Sequence, residues 1–206
     1  MGTSKSHRQV DLESLLRCPY SGLPLNMGEN EAHSAAQSYP MINGILSLVH
    51  DKKLAAIDEL FQQQYGEKTA KIYDKVLRLQ SALIGCWEPS QRRSLVGLLD
   101  PPLGGHVLEV AVGTGANLPF LAKSVGSAGM ITGVDLSLEM LKMAQKRANT
   151  MGVPVSFIRA DGCHLPFVDD CFDAVFHFGG INMFGDVKRG IEEMVRVAKP
   201  GAPLII

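Results

Sequence analysis

The sequence predicts an α/β fold, a doubly wound parallel sheet, preceded by a small β-rich module. Three observations predict it. From residue 106 onward, short apolar runs alternate with segments whose apolar residues recur at helical spacing. The first run, "VLEVAVGTGANLP" (Val107 to Pro119), breaks into a small-residue turn at Gly113-Thr114-Gly115 before a helical pattern starts. The next two runs end on carboxylates, Asp135 and Asp161. Alternating strand–helix units of this kind build a parallel sheet with helices on both faces.

The elements follow in order. A first strand is expected near 106–112, then a helix with Leu118, Leu121, Ala122 and Val125 on one face. "MITGVD" (130–135) is the second strand. Ser137 suits the cap of the next helix and Glu139 its first turn, with Leu141, Ala144 and Ala148 as its apolar line. The third strand is near "VSFIRA" (155–160) and the fourth near "FDAVFHF" (172–178). Asp186 caps a last helix whose Val187, Ile191, Met194, Val195 and Ala198 are expected to face inward. "PLII" (203–206) begins a fifth strand, and because a doubly wound domain usually continues from such a strand, the chain reads as truncated.

Upstream, residues 1–50 read as a small separate unit. "RCPYSGLPL" is turn-rich, and "SYPMINGILSLV" reads as strand, Asn43-Gly44 turn, strand. Residues 51–100 carry helical patterning, in Leu54, Ile57, Leu60 and Phe61 and again in Ile72, Val76 and Leu79. Two readings stand for this region: helices packing on a neighbouring sheet, or a cap over a ligand site with Tyr73-Asp74 reaching in. Residues 101–206 form the main α/β core.

Composition narrows the class. The chain has 206 residues, 46% hydrophobic and 20% charged, with a net charge of −1. That describes an ordinary globular protein, and no basic excess points to nucleic acid as a partner. Cys18, Cys86, Cys163 and Cys171 have no paired spacing, which fits reduced thiols in an intracellular, cytoplasmic setting. No uncharged apolar run reaches the roughly 18 residues of a membrane span. "MGTSKS" fits the pattern for lipidation at Gly2, which would give weak membrane association, but so short a motif reads first as a chance match. The oligomeric state has no signature.

The candidate site lies where open parallel sheets bind ligands, beyond the carboxyl ends of the strands at the switch point. Gly113 and Gly115 let the backbone turn sharply and approach a ligand. Glu109, amid Val and Leu, needs a partner if buried. It suits accepting bonds from the turn's N–H groups and meeting a ligand's ammonium, directly or through water. Asp135 stands about 20 residues past Gly115, the expected place for an acid that accepts ribose hydroxyls. Asp161-Gly162 offers a carboxylate to an exocyclic adenine amine, or simply makes a turn. Leu136 and Phe167 would sandwich a base or belong to the core. The dinucleotide fingerprint wants a third small residue, and Leu118 stands in that place. This disfavours a nicotinamide oxidoreductase and favours an adenosyl amino acid, which has no pyrophosphate. His177, at the end of the fourth strand, is a candidate general base or a strand-end histidine bonded to backbone. Asn182 would orient an acceptor or cap a turn.

Taken together, "VLEVAVGTGANL", "GVDLS", "RADGCHLPFVDDCFD" and "EEMVRVAKPGAPLII" resemble the class I S-adenosylmethionine-dependent methyltransferases, and within them the ubiquinone/menaquinone-biosynthesis group. The resemblance covers about 100 residues and implies a Rossmann-like fold with S-adenosyl-L-methionine as cofactor. It places Glu109, Gly113 and Gly115 around the methionine portion, Asp135 at the ribose, and Asp161 with Gly162 at the adenine edge. One departure is Ala111, where the family's loop often begins with Gly. No N-P-P-Y or D-P-P-Y sequence is present. With Phe178, Ile181, Met183 and Phe184 nearby, the expected acceptor is a small, lipophilic organic molecule. The alternatives are a non-catalytic scaffold of the same fold and an RNA methyltransferase. Cys18-Pro19, Tyr39-Pro40 and Asn43-Gly44-Ile45 resemble a zinc-ribbon-like module found before some methyltransferase domains. Ser21 replaces the module's second cysteine and no later pair follows, so no metal site is expected.

Overall fold

The computed structural model describes residues 11–35, 37–49, 67–83, 85 and 87–206. Gly2, Cys86 and the Leu54–Phe61 pattern lie outside them. Nine strands form one sheet. β1 (Asn26–Met27), β2 (Glu31–His33), β3 (Ser38–Ile42) and β4 (Ile45–Ser47) precede the core strands β5 (His106–Val110), β6 (Met130–Asp135), β7 (Val155–Arg159), β8 (Ala174–His177) and β9 (Leu204–Ile205). Their spatial order is β1-β2-β3-β4-β7-β6-β5-β8-β9. The core strands β5 to β9 run parallel.

The order reverses at β5, because the chain winds outward through β6 and β7 and then returns to the other side for β8. That reversal opens a crevice beyond the carboxyl ends of β5, β6 and β8. The helices follow from local signals. α4 (Leu118–Val125) buries Leu118, Leu121, Ala122 and Val125, the four residues that the helical spacing selects. α5 (Leu138–Ala148) is capped by Ser137, whose Oγ accepts from the Met140 N–H at 3.3 Å. α6 (Val187–Val197) is capped by Asp186, which accepts from the Arg189 N–H at 2.9 Å.

Two core layers flank the sheet. On one face α4 and α5 pack Leu121, Val125, Leu141 and Ala144 on Val107, Ile131 and Phe176. On the other, Leu108, Val110, Val134 and Val175 meet Met194 and Val197 of α6 and Leu16, Tyr39 and Leu48 of the N-terminal segment. The β3–β4 hairpin turns at Asn43-Gly44, both at positive φ (54° and 75°), as a two-residue hairpin requires. β4 then pairs in parallel with β7, so the strands of residues 26–47 extend the edge of the main sheet.

Two helix faces differ from the sequence expectation. In α6, Met194 and Ala198 are buried, but Val187, Ile191 and Val195 face outward. The buried stripe is instead Gly190, Met194 and Val197, because Phe184 lies on Gly190 so closely that a Cβ there would stand 2.4 Å from its ring. α2 (Glu67–Leu83) likewise leaves Ile72, Val76 and Leu79 exposed, and turns Tyr73 and Asp74 toward the glycine loop. No helix among the described residues is long and apolar enough to cross a membrane.

Candidate functional site

A cleft of about 990 Å³, open mouth included, lies at the switch point. Its walls come from the ends of β5, β6, β7 and β8, with Tyr73 of α2 and Arg92 of α3 (Glu88–Leu99) closing one side.

The β5–α4 loop makes the floor. Gly113, at φ 55°, has nothing within 4 Å of the position a Cβ would take, so the backbone stands open to the cleft. Its N–H donates to Asp135 Oδ2 at 2.8 Å, and the Ser137 N–H donates to Asp135 Oδ1 at 2.8 Å. Asp135 therefore fixes the glycine loop as well as lining the cleft. Burial pushes its carboxyl above the usual range, against the pull of those two amides. Gly115 has a different task. A Cβ there would come within 2.6 Å of Leu118 and 3.1 Å of Ala144, so this glycine lets α5 approach the loop and does not line the cleft. Ala111 stands at φ 55°, a left-handed conformation that glycine adopts without strain.

Behind the floor runs a buried polar chain. Arg92 pairs with Glu88 and donates through Nη1 to Asn117 Oδ1 at 2.8 Å. Asn117 Nδ2 in turn donates to Glu109 Oε1 at 2.6 Å. Glu109 is only 1% exposed, and its Oε2 has no partner. Burial pushes its carboxyl up to about 8, despite the Asn117 bond and nearby Arg92. Glu109 thus sits behind the wall, and Asn117 and Arg92 present this network to the cleft. Arg92 also lies over the Phe178 ring at 4.5 Å. On the opposite side Asp74 accepts from Thr114 Oγ1 at 2.6 Å and pairs with Arg147 at 2.5 Å, tying α2 to the glycine loop and to α5.

Asp161 lines the far end beside Gly162, Leu136 and Ala160. Phe167 does not; it packs against Phe172 in the core, with ring centroids 4.9 Å apart. His177 is also displaced from its expected place. It is 1% exposed, absent from the cleft walls, and bonded through Nδ1 to the Val110 carbonyl at 2.9 Å. Phe184 covers it edge-on at 5.4 Å, and burial lowers its pKa. The strand-end reading therefore describes its position, and a base at this place would not touch an acceptor. Asn182 is exposed and lies off the cleft.

Residues 107–201 match the methyltransferase domain family. This segment is similar to class I methyltransferase domains. A demethylmenaquinone methyltransferase of Porphyromonas gingivalis is 38% identical over 117 residues, 56% of this chain and 48% of that protein. One of Corynebacterium kroppenstedtii is 34% identical over 143 residues, 68% of this chain and 58% of that protein. A solved S-adenosylmethionine-dependent methyltransferase from Aquifex aeolicus superposes with a TM-score of 0.54 at 26% identity, covering 66% of this chain and 68% of that one. The chain spans about half the length of the curated relatives it matches.

The cleft has the chemistry to fit S-adenosylmethionine. Asp135 and Asp161 supply acceptors suited to ribose hydroxyls and an adenine amine, with Leu136 offering an apolar face between them. At the other end Arg92 is the one cation among the described lining residues, beside Asn117 and the open Gly113 backbone. Arg92, Asn117 and Met140 went unnoticed in the sequence. Arg92 lies on a helix 17 residues before Glu109 with no motif around it, and its only local signal is Glu88 one turn earlier.

Proposed function

We propose that this chain transfers a methyl group from S-adenosylmethionine to a small lipophilic acceptor of the quinone type. One observation carries the reading: a single cleft joins a carboxylate-ended β6, anchored to the glycine loop, with the apolar side chains Phe178, Met183 and Phe184 in its walls. The relatives named demethylmenaquinone methyltransferase support the acceptor class.

When bound, S-adenosylmethionine supplies an electrophilic methyl group, so the protein's task is orientation and exclusion of water. Asp135 would accept the ribose hydroxyls and Asp161 the adenine amine. Arg92 would hold the cofactor's carboxylate, and Asn117, held in place by Glu109, would accept from its ammonium. Tyr73 and Phe178 would wall the bound cofactor off from water. The acceptor is a small molecule and nucleic acid is not a partner, in keeping with the balanced charge. The reaction belongs in the cytoplasm.

The test is transfer of labelled methyl from S-adenosylmethionine to a detergent-solubilised demethylmenaquinol. Incorporation that depends on both the acceptor and Asp135 supports the proposal. Cofactor binding without incorporation into any quinol would favour a scaffold role instead.

A further inference from the structure

The N-terminal segment packs behind the far end of the cleft, on the histidine that holds Asp161, and nothing in the proposed transfer explains why. Residues 15–18 lie antiparallel along 166–168. Leu16 bridges Phe167, the Arg17 N–H donates to the Pro166 carbonyl at 2.9 Å, and the Val168 N–H donates to the Leu15 carbonyl at 2.9 Å. The chain then carries Tyr20 onto the ring of His164, centroids 5.5 Å apart. His164 Nδ1 stands 2.8 Å from Asp161 Oδ2. A carboxylate has only acceptors, so this Nδ1 carries the hydrogen.

We infer that His164, braced by Tyr20, is a positioning residue for the adenine amine: it fixes the plane of the Asp161 carboxylate so that its remaining lone pair faces the cleft. The inference rests on the cofactor reading above. An ionised carboxylate has about four acceptor sites. The Cys163 N–H takes one on Oδ1 at 2.8 Å, His164 takes one on Oδ2 and the Cys163 thiol is a further partner, leaving about one for the cleft. Burial works to raise the Asp161 carboxyl, but the bonds from His164 and Cys163 outweigh it and keep it ionised below the usual range. An ionised acceptor binds an N–H donor more strongly than a neutral one.

The backbone of this loop is held independently, from α6. Arg189 donates to the Cys163 carbonyl, Glu193 accepts from the Leu165 N–H, and Arg196 donates to the Leu165 and Phe167 carbonyls. Removing the imidazole therefore releases Oδ2, leaving the carboxylate held from Cys163 alone while the loop stays in place. The described N-terminal residues thereby gain a part in cofactor selection through Tyr20 without lining the cleft themselves.

The experiment compares two ligands by calorimetry on the full chain. S-adenosylhomocysteine carries the 6-amino group, and S-inosylhomocysteine carries an oxygen in its place. For His164→Ala the expected loss is about tenfold for the adenosyl ligand, since a hydrogen bond to a charged group is at stake, and less than about twofold for the inosyl ligand. Tyr20→Leu should show the same selectivity at about threefold, the scale of one aromatic contact. His164→Asn places an amide nitrogen where Nδ1 stood and should restore the preference. It also serves if the alanine variant does not fold. Equal losses for both ligands, or no loss for either, would overturn the inference. Failure of the unaltered chain to bind either ligand would overturn the cofactor reading itself, and this inference with it.

Discussion

Glu109→Gln isolates the cost of one buried carboxyl. In the folded chain burial holds the Glu109 proton up to about pH 8, whereas an unhindered glutamate releases it near 4.5. The sign follows directly. Between those values the unfolded chain has already lost the proton that the folded chain keeps, so stability falls as pH rises from about 4.5 to about 8 and is flat above. At about 1.4 kcal/mol per pH unit, the full swing is on the order of 5 kcal/mol, of which about 3 is spent by pH 7. Gln keeps the acceptor for Asn117 Nδ2 and does not titrate. The variant should therefore match the parent near pH 5 and exceed it by several kcal/mol at pH 8.5, on that same scale. Urea unfolding without cofactor, at half-unit steps from pH 5 to 9, measures the difference. Groups common to both chains, such as the Cys18 thiol lowered to about 7, cancel in it. A difference that does not change with pH would refute the buried-carboxyl reasoning.

Two substitutions in the glycine loop should act in opposite directions. Ala111→Gly relieves a left-handed residue at φ 55° at a cost in unfolded-chain entropy. The net gain expected in urea unfolding is about 0.5–1 kcal/mol. Gly115→Ala would drive a Cβ to 2.6 Å from Leu118 at φ 76°. It should cost about 2 kcal/mol or more and lower the thermal midpoint, because the added Cβ stands at a left-handed φ and meets the buried Leu118 and Ala144.

Much of this architecture was legible in the sequence. The positions of the core strands and the buried face of α4 followed from apolar runs and helical spacing, since strands buried on both faces read as continuous apolar runs. The Asn43-Gly44 turn and the Ser137 and Asp186 caps followed from backbone chemistry that acts within a few residues. The errors came where contacts between distant elements decide. The face of α6 is set by Phe184 pressing on Gly190, and no periodicity within the helix contains that information. Gly115 looked like a ligand glycine and is a packing glycine, because α5 arrives from 29 residues downstream. The carboxylates Asp135 and Asp161 and the residues Gly113, Gly162, Leu136 and Tyr73 were placed on the cleft. Glu109, Phe167 and His177 were not, since strand alternation turns a side chain to one face or the other without revealing what stands in front of it.

The central claim is that Asp135 ends β6 inside an adenosyl-binding cleft. Isothermal calorimetry with S-adenosylhomocysteine, on the parent chain and on Asp135→Ala, tests it most directly. The account predicts saturable binding to the parent and a loss of at least about tenfold in the variant, because two hydroxyl bonds to a charged acceptor disappear. Equal affinity in the two proteins, or no binding to a folded parent chain, would contradict it.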